Sequence, residues 1–375
     1  MKVAHPPLRI CFLKRFFRQM GGLEKHSRLI VDYFHHLGHL VTLGCEQAAP
    51  DYNYPTHLMK GTGPKFFQTE SFSRQADRWI RSTNYDIVFS FDRTVNQSVM
   101  RLGNGIHRAY LEEKKRHQRY LPFSFYKPLD WLLLSNEKRA FQSPHLKVII
   151  ANSHMVKQEL LHYYSVDASK IHVLHNGIEW DVIGQHFHPT AQLDPKTIHP
   201  KIDPTQLQLL FVGHGFKRKG LYSLLKALHL LKDEAFQLHI VGNDSHQPFY
   251  EQLSCDLGLS RQVFFYGGVQ SSYPFFQLAD MCIIPSIYDP FANVTVEALS
   301  FGCFVLTSRK NGGHEILTAE SGAIIDDISD DRAFKELIVS NWRKKTVDSA
   351  IKIRNSIEYL KIDNQLEKLT SLCLF

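Results

Sequence analysis

The sequence has 375 residues, of which 43% are hydrophobic and 22% are charged, and its formal net charge is +7. These proportions exclude a disordered chain, and the longest apolar runs are too short for a membrane-spanning helix, which needs about 18 residues. The length predicts about two domains, and the positive charge predicts an acidic partner, either a nucleotide, an anionic membrane surface or a nucleic acid.

The N-terminal segment argues against secretion. Pro6-Pro7 and the cations Arg9, Lys14, Arg15 and Arg18 interrupt the region where a signal peptide needs an unbroken apolar core, so we expect a cytoplasmic protein. The six cysteines have no C-x-x-C spacing and several lie in apolar runs. We therefore expect reduced core cysteines, without disulfides or a zinc site.

The first half of the chain alternates between strand-like and helix-like patterns. The apolar run Arg9–Leu13 leads into a glycine loop, and the amphipathic segment Leu23–Leu37 follows it. The same alternation continues in the strand-like runs and the helical pattern at Asp86–Ser90, Lys147–Ala151, Ser153–Tyr164 and Ile171–Leu174. A parallel, helix-covered sheet is the expected result.

The second half repeats this alternation after a stretch rich in proline and histidine, which predicts a surface linker at residues 177–205. We expect a second doubly wound α/β domain, and ligands between the carboxyl ends of the two sheets. The segment Val347–Leu372 predicts one long helix. Between the linker and this terminal segment, the predicted strands and helices are Leu207–Val212, Gly220–Leu231, Phe236–Val241, Val263–Phe265, Ser272–Ala279, Met281–Pro285, Cys303–Thr307 and Ala323–Ile325.

Two glycine-rich loops have the composition of phosphate-binding turns. Gly21-Gly22 follows the first strand and opens a helix, whose free N–H groups attract an anion. Arg218 and Lys219 follow the strand Leu207–Val212 in a loop without P-loop spacing, and they can neutralise a diphosphate. The structural alternatives are a tight strand-to-helix turn and a solvated basic turn.

A third loop combines two carboxylates with a helix start. Asn293 is the predicted N-cap, which leaves the amides of Val294 and Thr295 free to meet a phosphate. Glu297 can accept hydrogen bonds from a ribose diol, and Asp289 can hold sugar hydroxyls. Alternatively, Glu297 is a helix-dipole partner and Asp289 an ordinary loop acid.

The order of these motifs resembles the retaining glycosyltransferases of family 4. The matching motifs are Gly21-Gly22, Asn176-Gly177-Ile178-Glu179, Arg218-Lys219-Gly220, Asp289 with Glu297, and Gly312-Gly313-His314-Glu315. Within the family the chain is most similar to lipopolysaccharide core glycosyltransferases that add glucose to heptose, through the segments Phe91-Asp92-Arg93, Gly103–Glu112 and Gly215–Gly220.

The resemblance implies the GT-B arrangement of two Rossmann-like domains that face a cleft. The implied divisions are an acceptor-binding domain at 1–176, the linker at 177–205, a nucleotide-sugar-binding domain at 206–346, and a C-terminal helix at 347–375 that returns to the first domain. The implied donor is a UDP-sugar, with glucose as the expected sugar, and the implied acceptor is a lipid-linked saccharide.

Family positions also imply roles for individual residues. Arg218 and Lys219 would hold the diphosphate, and Gly21-Gly22 would contact the distal phosphate. Glu297 would bind the ribose, and Val269 would lie near the base. Asp289 and His107, the latter in preference to Asn104, would contact the donor sugar. The sequence departs from the usual family residues at Asp289, His214 and Asn104. A non-catalytic nucleotide-sugar-binding or scaffold protein therefore stays open as the alternative.

The sequence also bears on metals and on partners. No D-x-D motif occurs, so we expect no metal, no cofactor, and metal-independent transfer with retention. Between His107 and Arg139, cations alternate with aromatic residues, which predicts peripheral docking on an anionic membrane or, alternatively, a solvated basic face. No recognition-module motif supports nucleic acid as a partner.

Overall fold

The computed structural model describes residues 6–18, 22–64, 67–117, 128–189 and 194–374. The chain divides into two compact units, one formed by Met1–Asn176 with Asp363–Phe375 and the other by Gly177–Ile362. Each unit contains a parallel sheet together with helices, which confirms the predicted α/β fold class.

The N-terminal unit is built on central strands that are buried along most of their length, as is typical of sheets covered on both faces. Its strands are β1 (Arg9–Leu13), β2 (Phe16–Phe17), β3 (Leu40–Cys45), β4 (Gln47–Ala48), β5 (Thr56–Leu58), β6 (Ile87–Ser90), β7 (Val99–Leu102), β8 (Val148–Ala151) and β9 (Ile171–Val173). Within the described residues, seven of them pair in the order β5-β3-β1-β6-β7-β8-β9, and β2 pairs with β4. The helices are α1 (Gly22–His36), α2 (Gln68–Arg81), α3 (His107–Arg116), α4 (Pro128–Phe141) and α5 (His154–Tyr163).

The second unit contains the six strands β10 (Leu207–Val212), β11 (Phe236–Val241), β12 (Val263–Gly267), β13 (Met281–Ile284), β14 (Phe304–Ser308) and β15 (Gly322–Ile325) among its described residues. Its helices are α6 (Trp180–Gly184), α7 (Leu221–His229), α8 (Gln247–Asp256), α9 (Tyr273–Leu278), α10 (Asn293–Ser300), α11 (Asp331–Ser340) and α12 (Val347–Ser356). The strand order is β12-β11-β10-β13-β14-β15. The chain adds strands outward from β10 to β12 and then adds β13 to β15 on the other side of β10, so a switch point lies between β10 and β13. Open α/β sheets bind ligands at the carboxyl end of such a switch point.

The prediction of one long terminal helix is wrong. The helix α12 ends at Ser356, a 3-10 turn follows at Glu358–Leu360, and α13 spans Ile362–Cys373. The break has a clear cause, because the amide of Ile178 donates to the carbonyl of Leu360 (2.9 Å) and the amide of Ile362 donates to the carbonyl of Ile178 (2.8 Å). This pairing needs extended backbone, which a continuous helix does not offer.

The predicted linker at 177–205 has more structure than its composition indicates. Ile178 and Ile183 are buried in a core cluster of the second unit. The guanidinium of Arg354 lies 3.9 Å from the centroid of the Trp180 ring and donates to the Trp180 carbonyl at 3.1 Å. A few widely spaced contacts therefore fix this segment, and they leave no regular apolar period in the sequence.

Two smaller expectations concern the cysteines and membrane crossing. All six cysteines are free, and all except Cys255 are buried, in agreement with the expected core positions. Among the residues that the structure describes, no helix is both long enough and apolar enough to cross a bilayer.

Candidate functional site

The loop between β10 and α7 reaches the switch point through a glycine. Gly220 has a φ of +78°, and a Cβ atom placed on it would lie 1.8 Å from the carbonyl oxygen of Pro285. A second main-chain contact joins the same two loops, because the amide of Ile287 donates to the carbonyl of Arg218 at 2.9 Å. The loops that follow β10 and β13 are therefore packed backbone to backbone.

These two loops bring three charged side chains together, which we call the cation cluster: Arg218, Lys219 and Asp289. The Oδ2 atom of Asp289 accepts from Lys219 Nζ at 2.7 Å and from Arg218 Nη1 at 3.0 Å. Lys219 and Asp289 are 8% and 7% exposed, whereas the side chain of Arg218 is 40% exposed. All three residues are among those predicted from the sequence, although the family resemblance assigns Asp289 to the donor sugar.

The two cations determine the protonation state of Asp289. Burial is the largest single influence, and alone it would raise the pKa of the carboxyl group. The charges of Lys219 and Arg218 and their hydrogen bonds together outweigh burial, so the pKa of Asp289 lies below its usual range. The carboxylate is ionised at neutral pH, and two cations with one anion leave the cluster with one net positive charge.

The main chain of Asp289 is also fixed. Its amide donates to the carbonyl of Lys310 at 2.8 Å, and its carbonyl accepts from the amide of Gly312 at 2.9 Å. These bonds attach the loop after β13 to the loop after β14, so the carboxylate has little freedom to move toward a ligand.

Asn311 connects the same loops to the start of α10. It is not among the site residues predicted from the sequence. It is fully buried, and its Oδ1 accepts from the amides of Ala292 (2.9 Å) and Gly313 (3.0 Å). Its Nδ2 donates to the hydroxyls of Thr295 (3.0 Å) and Thr307 (2.7 Å). The sequence signal that could have identified Asn311 is its position after a strand and immediately before Gly312-Gly313.

The start of α10 differs from the prediction. Ala292, not Asn293, occupies the N-cap position, and Asn293 is the first helical residue. The amide of Thr295 donates to the carbonyl of Ala292 at 2.9 Å, because the first turn is tight, so this amide is not free for a phosphate. Among the described residues, the amide of the half-buried Val294 has no hydrogen-bond partner. Glu297 lies about one turn further along, partly buried.

Turns that follow β10, β11 and β12 lie side by side next to the cation cluster. The amide of Gly242 donates to the carbonyl of Gly267 at 2.8 Å, which places the turn before Val269 beside the turn after β11. The exposed His214 accepts at Nδ1 from the amide of Asn243 at 2.9 Å. The same nitrogen lies 3.2 Å from the carbonyl oxygen of Asn243, so both main-chain groups of Asn243 contact the ring.

The remaining predicted residues lie in the N-terminal unit. Gly21 is outside the described residues, and Gly22 begins α1. The Nε2 of His107 lies 3.2 Å from Oδ1 of Asp130, and its amide donates to Oε1 of Glu137 at 2.8 Å. Burial, aided by the charge of Arg93, lowers the pKa of His107. A catalytic role for His107 remains a prediction.

This arrangement is suited to an anion with two negative groups. Arg218 retains Nη2 and Nε as donors that no described residue uses, Lys219 supplies a shielded ammonium group, and Val294 offers an amide at a helix start. Cations in a buried position stabilise developing charge more strongly than they do in water.

Two families match the sequence. "Glycosyltransferase Family 4" matches residues 20–182, and "Glycosyl transferases group 1" matches residues 196–350. The uncharacterized glycosyltransferase MJ1607 of Methanocaldococcus jannaschii is 27% identical over 52% of this chain and 54% of its own length. The lipopolysaccharide core biosynthesis glycosyltransferase LpsD of Rhizobium meliloti is 32% identical over 32% of this chain and 34% of its own. The matches thus span between about a third and just over half of the length of these relatives.

Solved structures agree over nearly the whole chain. The crystal structure of WaaG, a glycosyltransferase involved in lipopolysaccharide biosynthesis, has a TM-score of 0.77 at 19% identity and covers 97% of this chain and 99% of its own. Anabaena HepE, in complex with UDP and glucose, has a TM-score of 0.72 at 15% identity and covers 97% of this chain and 98% of its own. With family matches on both sides of a short gap at 183–195 and this shared fold, the chain belongs to the GT-B glycosyltransferases of family 4.

Proposed function

We propose that this chain transfers a hexose, with glucose as the first candidate, from a UDP-sugar to a lipid-linked saccharide such as the lipopolysaccharide core, with retention and without a metal ion. The observation that carries the proposal is the cation cluster at the switch point of the second unit. Arg218 and Lys219, in the loop after β10, are held there by Asp289, in the loop after the neighbouring parallel strand β13.

The relatives support the choice of donor and acceptor. LpsD is named for lipopolysaccharide core biosynthesis, and HepE was crystallised with UDP and glucose. In this proposal Glu297, on the helix after β13, binds the ribose diol, and the turn at Val269, after β12, binds the base, because both follow strands of the parallel sheet that carries the cluster.

The proposed reaction uses the donor itself as the base. The acceptor hydroxyl attacks the anomeric carbon from the face that the diphosphate leaves, the bond to the leaving phosphate oxygen breaks, and that oxygen takes the hydroxyl proton. Arg218 and Lys219 stabilise the negative charge that grows on the diphosphate as the bond breaks.

A binding panel followed by a turnover assay tests this function. Because a ligand that binds only the folded state stabilises it by ~2.7 kcal/mol at a hundred times its Kd, UDP should raise the midpoint of thermal unfolding more than ADP, GDP or CDP. UDP-glucose should then be hydrolysed slowly without an acceptor. Binding without any turnover would favour the scaffold alternative, and no shift with any nucleotide would refute the proposal.

The rate should not depend on added divalent metal. We expect activity within about twofold of its initial value in excess EDTA, because the cluster supplies the positive charge that a metal ion would otherwise provide. Initial transfer rates with and without chelator measure this. Loss of activity in EDTA that Mn²⁺ restores would contradict metal-independent transfer.

Peripheral membrane docking is the last part of the proposal. Arg119, Tyr120, Phe123, Phe125, Tyr126 and Lys127 of the basic and aromatic segment lie outside the described residues. On either side of this segment in the sequence, Trp131 is 64% exposed, and Lys115 and Lys138 are exposed on α3 and α4. These side chains suit an anionic lipid surface.

Vesicle sedimentation tests the docking. The protein should bind vesicles that contain anionic lipid, and binding should weaken with salt. Each of Lys115→Ala and Lys138→Ala should weaken it by about 1 kcal/mol, whereas Lys232→Ala, at an exposed lysine of the second unit, should not. Binding that is absent or indifferent to salt would contradict docking.

A further inference from the structure

One carboxylate oxygen of Asp289 is bonded to both cations of the cation cluster. Both hydrogen bonds reach the same oxygen, Oδ2, and the side chain is 10% exposed. The cation partners are themselves anchored, since the amide of Lys219 donates to the carbonyl of Gly215 at 3.0 Å and Arg218 Nη1 also donates to the carbonyl of Tyr288 at 3.1 Å.

The length of the side chain fits this arrangement. An aspartate is one methylene shorter than a glutamate, so its carboxylate stays close to a main chain that is fixed at both the amide and the carbonyl of residue 289. The two hydrogen bonds occupy Oδ2, so a diphosphate that binds Lys219 and Arg218 has to draw them away from that oxygen. A buried carboxylate that gives up such partners loses the interactions that offset its desolvation.

We propose that Asp289 is a positioning residue that holds Lys219 and Arg218 in place and competes with the diphosphate for them, so that it weakens the binding of the nucleotide product. This inference rests on the proposed function and goes beyond the sugar-binding role implied by the family resemblance. The competition has a physical basis, because a carboxylate and a phosphate attract the same N–H donors.

The proposal makes the affinity for UDP, which has no sugar, depend on Asp289. In Asp289→Asn, UDP should bind at least about fivefold more tightly, the lower end of typical coupling between sites, while kcat falls because the cations are less well held. Titration calorimetry at low salt and initial rates measure the two effects. General damage to the fold would weaken binding and rate together, and a sugar-binding role would leave the UDP affinity unchanged.

Three further variants make the test specific. The exposed Asp233 gives the matched control, and Asp233→Asn removes the same charge without changing UDP affinity. In a Lys219→Ala background, Asp289→Asn should lose most of its gain, because one of the two competing partners is absent. Asp289→Glu keeps the charge and should keep the UDP affinity within about twofold while lowering kcat.

The outcomes separate this inference from the function on which it rests. Wild-type protein that binds no nucleoside diphosphate would refute the proposed function itself. Wild-type protein that binds UDP, with equal or weaker binding by Asp289→Asn, would overturn the inference alone. If Asp289→Asn does not fold, Asp289→Glu decides: an undiminished kcat/KM for UDP-glucose would overturn the positioning role.

Discussion

Lys219→Ala should lower kcat by about 100- to 1000-fold, the range found when one donor to a developing oxyanion is removed. The ammonium group is shielded from water and lies 2.7 Å from Asp289, so its charge acts in a setting of low dielectric constant. The fold decrease in kcat should exceed the fold change in KM for the donor, because the diphosphate gains charge only as the glycosidic bond breaks. Steady-state rates with saturating acceptor give both constants.

A neighbouring lysine provides the control for this prediction. Lys217 lies in the same loop but is exposed, so Lys217→Ala should keep kcat within about twofold of the wild-type value. Thermal unfolding of both variants separates catalysis from stability, since Lys219→Ala leaves Asp289 with Arg218 as its cation partner in the cluster. A kcat that Lys219→Ala leaves unchanged would remove Lys219 from the proposed mechanism.

The strands of the second unit show what the sequence can predict. β10 and β11 have the predicted bounds, because each is a six-residue run of mainly apolar residues. β7 (Val99–Leu102) was missed, since it contains Arg101. That side chain is buried and donates to Oδ1 of Asn176 at 2.8 Å, a long-range contact that no local pattern reveals.

The candidate site was predictable in its parts but not in its arrangement. Arg218 and Asp289 are 71 positions apart, and they meet because β10 pairs with β13 rather than with a strand adjacent in sequence on that side. Local periodicity does not encode this strand order. Asn311 was missed for a related reason, because its four partners belong to α10, β14 and the connecting loops, which only the folded sheet brings together.

Gly220→Ala should destabilise the second unit by more than ~3 kcal/mol, because it combines two costs. A left-handed conformation costs a residue with a Cβ about 1–2 kcal/mol, and overpacking typically adds 1–3 kcal/mol. Gly220 has a φ of +78°, and its Cβ would lie 1.8 Å from the Pro285 carbonyl oxygen, where main chain must move. Any such movement separates the loops that carry Arg218 and Asp289, so UDP binding should also be lost.

Gly215, in the same loop, separates the two costs. Its φ is +74°, nearly that of Gly220, but no atom lies within 4 Å of an added Cβ. Gly215→Ala should therefore cost only the ~1–2 kcal/mol of the left-handed conformation and should leave the loops after β10 and β13 in contact. Urea unfolding of both variants, with UDP titrations alongside, measures the difference. Equal destabilisation by the two substitutions would mean that the backbone contact between Gly220 and Pro285 does not hold these loops together.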